Sequence, residues 1–272
     1  MNESTEAIDP IFHHRYRSLI GSLMFAAVNW RIDIMFRVSH LARFASAPDM
    51  THMKAALYIL RYLKCTAGHG LYYRRNQKVD RRSVKPMLIA WTDSNHAADN
   101  DCVSTSGYVI QLIHGPDYDS IYDKDGEVVN LPMYNVIAFS SVRQREVALS
   151  STEAEYIASS LCCRALMHLK QLLEELGFDE FNRQNVMFVD NSSIILLAND
   201  SKVSSRFKHV RIKHHYIRWN TINGFVKLVY VKTSVNLADF LTKPNPGPVF
   251  GRHRDAVMSE PEVVNARFPR DL

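Results

Sequence analysis

The sequence predicts an α/β protein in which a mixed five-stranded sheet is flanked by helices and preceded by a small helical region. The first observation is a set of short β-rich runs, each bounded by turn or polar residues. They read MLIAWTD, TSGYVIQLI, NVIAFSS, NVMFVD and FVKLVYVKT. The second observation is that the later runs alternate with helical patterns, in the order β-β-β-α-β-α-α-β-α. This order places helices over a sheet that begins as an antiparallel meander.

The region before the first strand is predicted to be helical. Apolar residues recur there at steps of three and four, as in Ile34, Val38 and Leu41. The polar run RRNQKVDRRSVKP follows and ends in proline, so we place a domain boundary there. The predicted division is a helical region over 1–86, an α/β domain over 87–245 and a proline-rich, charged tail over 246–272.

Composition indicates a globular chain. No apolar run approaches the roughly 20 residues that a membrane-spanning helix needs, and the first residues, MNESTEAIDP, do not resemble a signal peptide. The four cysteines show no metal-binding spacing, which favours reduced thiols. We therefore expect a soluble, intracellular protein without membrane contact.

Charge is unevenly distributed along the chain. Residues 1–86 hold 14 Lys and Arg against 6 Asp and Glu, a net charge of +8. Residues 87–272 hold 19 against 22, a net charge of −3. A basic region beside a mildly acidic one suits a nucleic-acid-binding platform next to a metal-binding site. A chance imbalance of the surface remains the alternative.

Carboxylates occupy the ends of the predicted elements. Asp93 ends the first strand, Asp190 ends the fourth, and Asp239 opens the last predicted helix. If the first and fourth strands are neighbours, Asp93 and Asp190 lie side by side and require a cation to ionise together. Oxygen ligands favour Mg²⁺ or Mn²⁺, and two such ions about 4 Å apart promote phosphodiester hydrolysis. The alternative for each aspartate is a turn or a helix cap.

The stretch ALSSTEAEYIA contains two glutamates at the start of a long helix predicted over 151–177. Ser150 and Glu153 have the S-x-x-E spacing of a capping box, which gives Glu153 a structural role. Glu155 lies about 200° further around the helix, where it can lean over the sheet toward Asp93 and Asp190. Glu155 is therefore the predicted catalytic glutamate.

Further polar residues are candidates for nucleic-acid contact. The run FKHVRIKHHYIRWNTI predicts a basic helix that can follow phosphates, although a solvated surface is an equal alternative. Two polar residues at element ends, Thr105 and Asn191, contact the nucleic-acid backbone or cap those ends. The predicted contacts of the basic helix are Lys208, Arg211, His215 and Arg218.

Several of these blocks resemble the ribonuclease H domain of copia-type LTR retrotransposon Pol polyproteins. The resemblance covers 88–245. Upstream, YRSLIGSLMFAAVNWRIDI and LYILRYLKCTAGHGLYY are similar to the end of the same polyprotein's reverse transcriptase region. The blocks, in family order, are WTDSNHAADNDCVSTSGYVI, IAFSSVRQREVALSSTEAEYIAS, FVDNSSIILLAND, KHVRIKHHYIRW and NLADFLTKP.

The resemblance implies a ribonuclease H-like fold behind a thumb- or connection-like remnant of reverse transcriptase. It implies hydrolysis of the RNA strand of RNA–DNA hybrids during reverse transcription, with the remainder of the polyprotein as partner. The expected location is the cytoplasm, in a virus-like particle, or the nucleus. The two Mg²⁺ or Mn²⁺ ions would be held by Asp93, Glu155, Asp190 and Asp239.

The chain also departs from the family. Ser94, Asn95 and His96 replace the usual Ala, Asp and Trp, and an insertion over 113–134 replaces a short turn. Its Asp125-Gly126 pair suits a hairpin tip better than a calcium loop. The Tyr-x-Asp-Asp polymerase turn is missing from the sequence, so the chain alone should not polymerise DNA. A catalytically silent, hybrid-binding remnant is the main alternative, and a related transposase or integrase that cuts duplex DNA is a third.

Overall fold

The computed structural model describes residues 9–73, 86–96, 102–114, 135–178, 184–200 and 215–259. The α-helices are α1 (Pro10–Asn29), α2 (Met35–Ala42), α3 (Met50–Cys65), α4 (Ser151–Glu175), α5 (Ser192–Asn199), α6 (Tyr216–Ile222) and α7 (Gly247–Val257). The strands are β1 (Gly70–Leu71), β2 (Pro86–Asn95), β3 (Thr105–His114), β4 (Val136–Arg143), β5 (Asn185–Val189), β6 (Val226–Tyr230) and β7 (Met258–Ser259).

The central sheet has five strands in the order β4-β3-β2-β5-β6. Strands β2, β3 and β4 form the predicted antiparallel meander, while β5 runs parallel to β2 and β6 parallel to β5. Every residue of β5 is buried, as expected for a central strand covered on both faces. The structure thus confirms the predicted mixed five-stranded sheet and places the first and fourth predicted strands side by side.

Alternation along the strands builds one hydrophobic core on each face of the sheet. On one face, Leu88 and Ala90 belong to a cluster that includes Cys162 and Leu166 of α4. On the other face, the rings of Trp91 and Phe188 stack with their centroids 4.2 Å apart. The second core also takes in residues far away in sequence, among them Ile32, Phe240 and Val257.

Helix α4 begins at an N-cap that also fixes Glu153. The Ser150 hydroxyl accepts a hydrogen bond of 3.1 Å from the Glu153 backbone N–H. The Glu153 carboxylate accepts one of 2.8 Å from the backbone N–H of Leu149, one residue earlier than the predicted capping box requires. The helix ends before Gly177, whose φ of +84° is the left-handed conformation that glycine adopts easily.

The N-terminal helices pack around their own core and around one buried ion pair. Arg31 donates to both carboxylate oxygens of Asp33, at 3.0 and 2.8 Å, and also to Thr66 at the end of α3. Tyr62 of α3 donates to the same carboxylate at 2.7 Å. These bonds tie the α1–α2 connection to α3, and Ile32 beside them reaches the core of the sheet.

The C-terminal residues differ from the predicted tail over 246–272. Helix α7 and β7 follow the sheet, and β7 pairs antiparallel with β1 in a second, two-stranded sheet. Ala256, Val257 and Met258 are buried in the second core. Residues 247–258 therefore contribute to the core rather than to a tail, because their apolar side chains cover the sheet face that the N-terminal helices leave open.

The last predicted helix is also shorter than the sequence indicates. Asp239–Leu241 form a single 3₁₀ turn in which all three residues are buried. Asn236 pins this segment to the sheet by donating to the Thr92 carbonyl at 2.9 Å while accepting from the Ala238 N–H at 3.1 Å. Tertiary packing thus overrides the helical propensity of NLADFLTK.

Some predictions fall outside the described residues. These are most of the 113–134 insertion, the polar run over 74–85, and Lys208 and Arg211 of the basic helix. The C-terminal part of the predicted basic helix is described as α6, with His215 at the N-cap. Within the described ranges, no helix is both long and apolar enough to cross a bilayer.

Gly107 tests how tightly the 3₁₀ segment packs on the sheet. It pairs with Asp93 across β2 and β3, and a Cβ atom there would lie 2.7 Å from Thr242 Cγ2 and 2.9 Å from Leu241 Cβ. We expect Gly107→Ala to lower the free energy of unfolding by about 1–3 kcal/mol through overpacking. Urea unfolding measures this change.

The matched control is Gly21→Ala in α1, where an added Cβ meets no atom within 4 Å. Alanine in a helix interior should raise stability there by about 0.5–1 kcal/mol. Equal effects of the two substitutions would contradict the close packing of the 3₁₀ turn against β3.

Candidate active site

Two carboxylates meet where β2 and β5 end. The strands are parallel, and Trp91 pairs with Phe188, so Asp93 and Asp190 each stand two residues beyond that pair at the same edge of the sheet. Asp93 is only 5% exposed, whereas Asp190 is partly exposed. The structure thus brings together the two strand-end aspartates that the sequence singles out.

Glu155 joins them from the second turn of α4. Burial, followed by the negative charges of Asp190 and Asp93, raises its pKa, so it lies near both aspartates, and it is hydrogen-bonded to the side chain of Asn191. Its Oε2 atom is buried and has no hydrogen-bond partner. Glu153, by contrast, is held at the helix N-terminus by its bond to Leu149. Glu155 is therefore the glutamate that points to the carboxylate edge.

Asp239 approaches the same edge from the 3₁₀ turn. It is 3% exposed, its Oδ2 accepts a hydrogen bond of 2.7 Å from Asn245, and its Oδ1 lies 2.5 Å from the ammonium of Lys243. The charges of Asp93 and Asp190 also raise the pKa of Lys243. The lysine ammonium thus contacts Asp239 and lies near the other three predicted carboxylates.

Thr242 and Lys243 are site residues that sequence reasoning missed. The Thr242 hydroxyl donates a short hydrogen bond to Asp93 Oδ2, across 149 residues of sequence. The sequence signal that could have indicated them is their spacing in NLADFLTKP. They follow Asp239 by three and four residues, the spacing of neighbours on one face of a helical turn. Their partners became evident only once the sheet placed Asp93 beside this segment.

Burial and mutual repulsion raise the pKa values of these carboxyl groups. Burial, followed by the charge of Asp190, raises the pKa of Asp93 to about 7. Burial, then the charges of Asp190 and Asp93, raises the pKa of Glu155 to about 8. Burial also raises the pKa of Asp190, while a hydrogen bond from Thr233 opposes the shift. Such perturbed groups in one cluster are typical of functional sites.

The donor set suits a divalent cation of the magnesium type. All candidate ligands are carboxylate oxygens, which Mg²⁺ and Mn²⁺ prefer, and the buried Glu155 Oε2 lacks a partner that a cation would supply. In the part of the chain that the structure describes, no three His, Cys, Asp or Glu side chains converge closely enough to hold a metal as they stand. Metal binding therefore requires side-chain shifts, above all release of Asp239 by Lys243.

The predicted nucleic-acid contacts have mixed surroundings. Asn191 caps α5 by accepting from the Ser193 N–H at 2.9 Å and lies beside Glu155, and Thr105 pairs with Asn95 at the same sheet edge. His215 Nδ1 lies 3.1 Å from the Tyr156 hydroxyl. Of these three residues, Asn191 and Thr105 therefore lie next to the carboxylates.

Arg218 has a structural partner in the described residues. Its Nε donates to the Asp200 carbonyl at 2.7 Å, which ties α6 to the end of α5. Phosphate contact by Arg218, and by His215, stays a prediction, as does any contact by Lys208 and Arg211, which lie outside the described ranges.

The strand order and the helices that flank the sheet define a ribonuclease H-like fold. The chain is 34% identical over 241 residues to the Retrovirus-related Pol polyprotein from transposon RE1 of Arabidopsis thaliana, which covers 88% of this chain and 14% of that protein. It is 33% identical over 232 residues to the Retrovirus-related Pol polyprotein from transposon TNT 1-94 of Nicotiana tabacum. That match covers 85% of this chain and 15% of that polyprotein. The chain belongs to the copia-type retrotransposon Pol polyproteins, and it spans about one seventh of the length of these relatives.

No family model matches the sequence. Among solved structures, the chain is similar to LC11-RNase H1, isolated from compost, with 17% identity and a TM-score of 0.34. That similarity covers 57% of this chain and 92% of the other.

The raised carboxyl pKa values predict a pH-dependent stability in the absence of metal. The pKa of Asp93 is about 7 in the folded chain, against an ordinary value of 3.8. Between these two pH values its carboxyl group keeps its proton in the folded chain but loses it in the unfolded chain. Raising the pH from about 4 to about 7 should therefore destabilise the metal-free protein, because only the unfolded chain ionises freely in that window. Glu155 extends the window to about 8.

Thermal unfolding in EDTA across this pH range measures the effect. Asp93→Asn, which cannot titrate, should lose less stability than the parent between pH 4 and 7, and Mg²⁺ should stabilise the parent most at the upper end. Identical pH profiles for parent and variant would show that the pKa of Asp93 is not raised in the folded chain.

Proposed function

We propose that the chain is a metal-dependent nuclease that hydrolyses the RNA strand of RNA–DNA hybrids during retrotransposon reverse transcription. The observation that carries this proposal is the meeting of Asp93, Glu155 and Asp190 at one sheet edge, with Asp239 reaching the same edge. In such a site, Asp93, Glu155, Asp190 and Asp239 would hold two Mg²⁺ or Mn²⁺ ions. Bound metal would activate water for attack on phosphorus and neutralise the leaving oxygen.

The protein groups around the carboxylates supply orientation. The Thr242 hydroxyl fixes one oxygen of Asp93, and Asn191 holds Glu155. Lys243 is 36% exposed at its side chain, so it can leave Asp239 without crossing the core. Its ammonium would then lie at the rim of the site, where it can pair with a substrate phosphate.

The choice of a hybrid substrate rests on family membership and charge. The polyprotein family suggests a role beside reverse transcriptase, and the net charge of +8 over residues 1–86 suits a phosphate backbone. A hybrid has an A-like shape that proteins read through backbone and 2′-hydroxyl contacts, for which Thr105 and Asn191 are the described candidates. The proposed partner is the remainder of the polyprotein, in a cytoplasmic particle or in the nucleus.

A catalytically silent, hybrid-binding remnant is the second candidate. Two observations favour it: Lys243 forms an ion pair with Asp239, and no metal-binding group of three is preformed in the described residues. It predicts hybrid binding that falls with salt but no cleavage in Mg²⁺ or Mn²⁺.

A labelled RNA–DNA hybrid tests the proposal directly. The purified chain should shorten only the RNA strand in Mg²⁺, should leave duplex DNA intact, and should be inactive in EDTA. Asp190→Asn should lower the rate by about 10²-fold or more, the scale of losing a group that stabilises reacting charge. Binding without cleavage would select the silent remnant, and cleavage of duplex DNA would point to a transposase-like enzyme.

The two glutamates of α4 provide a matched pair of variants. Glu155→Gln should abolish RNA cleavage with little change in melting temperature, since Glu155 faces the carboxylate edge. Glu153→Gln removes the same charge two residues away and should cost about 0.5–1.5 kcal/mol of stability through its bond to Leu149, while cleavage persists. Comparable rate losses in both variants would refute the assignment of Glu155.

A further inference from the structure

A groove of about 490 Å³ lies between the N-terminal helices and the carboxylate edge of the sheet. Phe36, Arg37 and His40 line it from α2, and Tyr58 and Ile59 line it from α3. The opposite wall contains Asn95, Thr105, Thr242 and Pro244. Its volume is within the range of about 300–1,000 Å³ that small-molecule sites occupy.

The groove is continuous with the proposed catalytic site. Thr242 lines its wall and donates to Asp93, and Asn95 follows Asp93 by two residues on β2. Thr105, one of the predicted nucleic-acid contacts, pairs with Asn95 and also lines the groove. The groove therefore begins beside the carboxylate edge, in reach of a strand that is bound there.

The lining combines aromatic and basic groups. Tyr58 is 70% exposed, so its ring is not committed to the core, and Arg37 is also exposed. Phe36 adds a second ring, and His40 lies one helical turn from Arg37 on α2. Aromatic faces bind nucleobases by stacking, and cationic side chains bind the phosphates between them.

The apolar side chains of the groove favour unpaired nucleotides over paired ones. A duplex turns phosphates outward and keeps the faces of its bases stacked inside, so its backbone gains little from Tyr58, Phe36 and Ile59. An unpaired nucleotide presents both a base face and a phosphate. We infer that this groove binds an unpaired nucleotide of the strand that leaves the carboxylate edge, with its base on Tyr58 and its phosphate on Arg37.

This inference rests on the proposed function, because it takes the hybrid to lie across Asp93 and Asp190. It adds a substrate preference: hybrids that carry a single-stranded extension should bind more tightly than blunt hybrids of the same length. The preference lies in binding, so it can be measured without cleavage.

The experiment measures fluorescence anisotropy with the full chain carrying Asp190→Asn, in Mg²⁺. The probes are a blunt RNA–DNA hybrid, the same hybrid with an RNA extension, and one with a DNA extension. Tyr58→Ala should weaken binding of the RNA-extended hybrid about tenfold, the scale of one lost stacking contact, and leave binding of the blunt and DNA-extended hybrids unchanged. Phe25→Ala is the control, since Phe25 is 62% exposed on α1 and does not line the groove.

Arginine variants test the phosphate contact separately. Arg37→Ala should reduce the salt dependence of binding to the extended hybrid by about one phosphate contact, while Arg17→Ala, an exposed arginine of α1 outside the groove, should not. Melting temperatures of all variants should stay near that of the parent, because these side chains are exposed.

The possible failures are distinguishable. Equal affinity of the parent for blunt and extended hybrids, or equal losses on both probes for Tyr58→Ala, would overturn the inference and leave the proposed function standing. No binding of any hybrid by the parent would remove both. Loss confined to the RNA-extended hybrid in Tyr58→Ala, without loss in Phe25→Ala, would support the groove as a nucleotide site, whereas loss confined to the DNA-extended hybrid would overturn the inference.

Discussion

Repulsion among buried carboxylates is the constraint around which this fold is arranged. Parallel pairing of β2 with β5 brings Asp93 and Asp190 to one edge, and α4 adds Glu155 above them. Since these groups cannot all ionise in a poorly solvated space, burial and then their mutual repulsion raise the pKa values of Asp93 and Glu155. Carboxylates clustered in a buried position lower stability, so their presence at this edge indicates a functional site.

The surrounding structure keeps this edge in place from both ends of the chain. Asn236 anchors the 3₁₀ turn to the carbonyl of Thr92, so Asp239 is delivered beside Asp93 although the two are far apart in sequence. Helix α7 and Ile32 then cover the same face of the sheet. The N-terminal helices consequently share a core with the sheet, and their outer faces form a groove that leads from the carboxylates.

Local patterns predicted the features that depend on neighbours in sequence. The strands and the N-cap of α4 follow from periodicity and cap spacing, and the structure reproduces them. The failures all depend on distant packing. The last predicted helix is instead a 3₁₀ turn, and all three of its residues are buried. Thr242 likewise gains its role only from Asp93.

The position of Lys243 is compatible both with an active nuclease and with a catalytically silent, hybrid-binding remnant. Its ammonium lies 2.5 Å from Asp239 and is attracted by Asp93 and Asp190, so it lowers the repulsion at the edge when no metal is bound. The pair is partly exposed, which limits its strength because water screens it. A divalent ion carries twice the charge and satisfies several carboxylates at once, so it can displace a single ammonium. The lysine thus stabilises the metal-free fold without closing the site to metal.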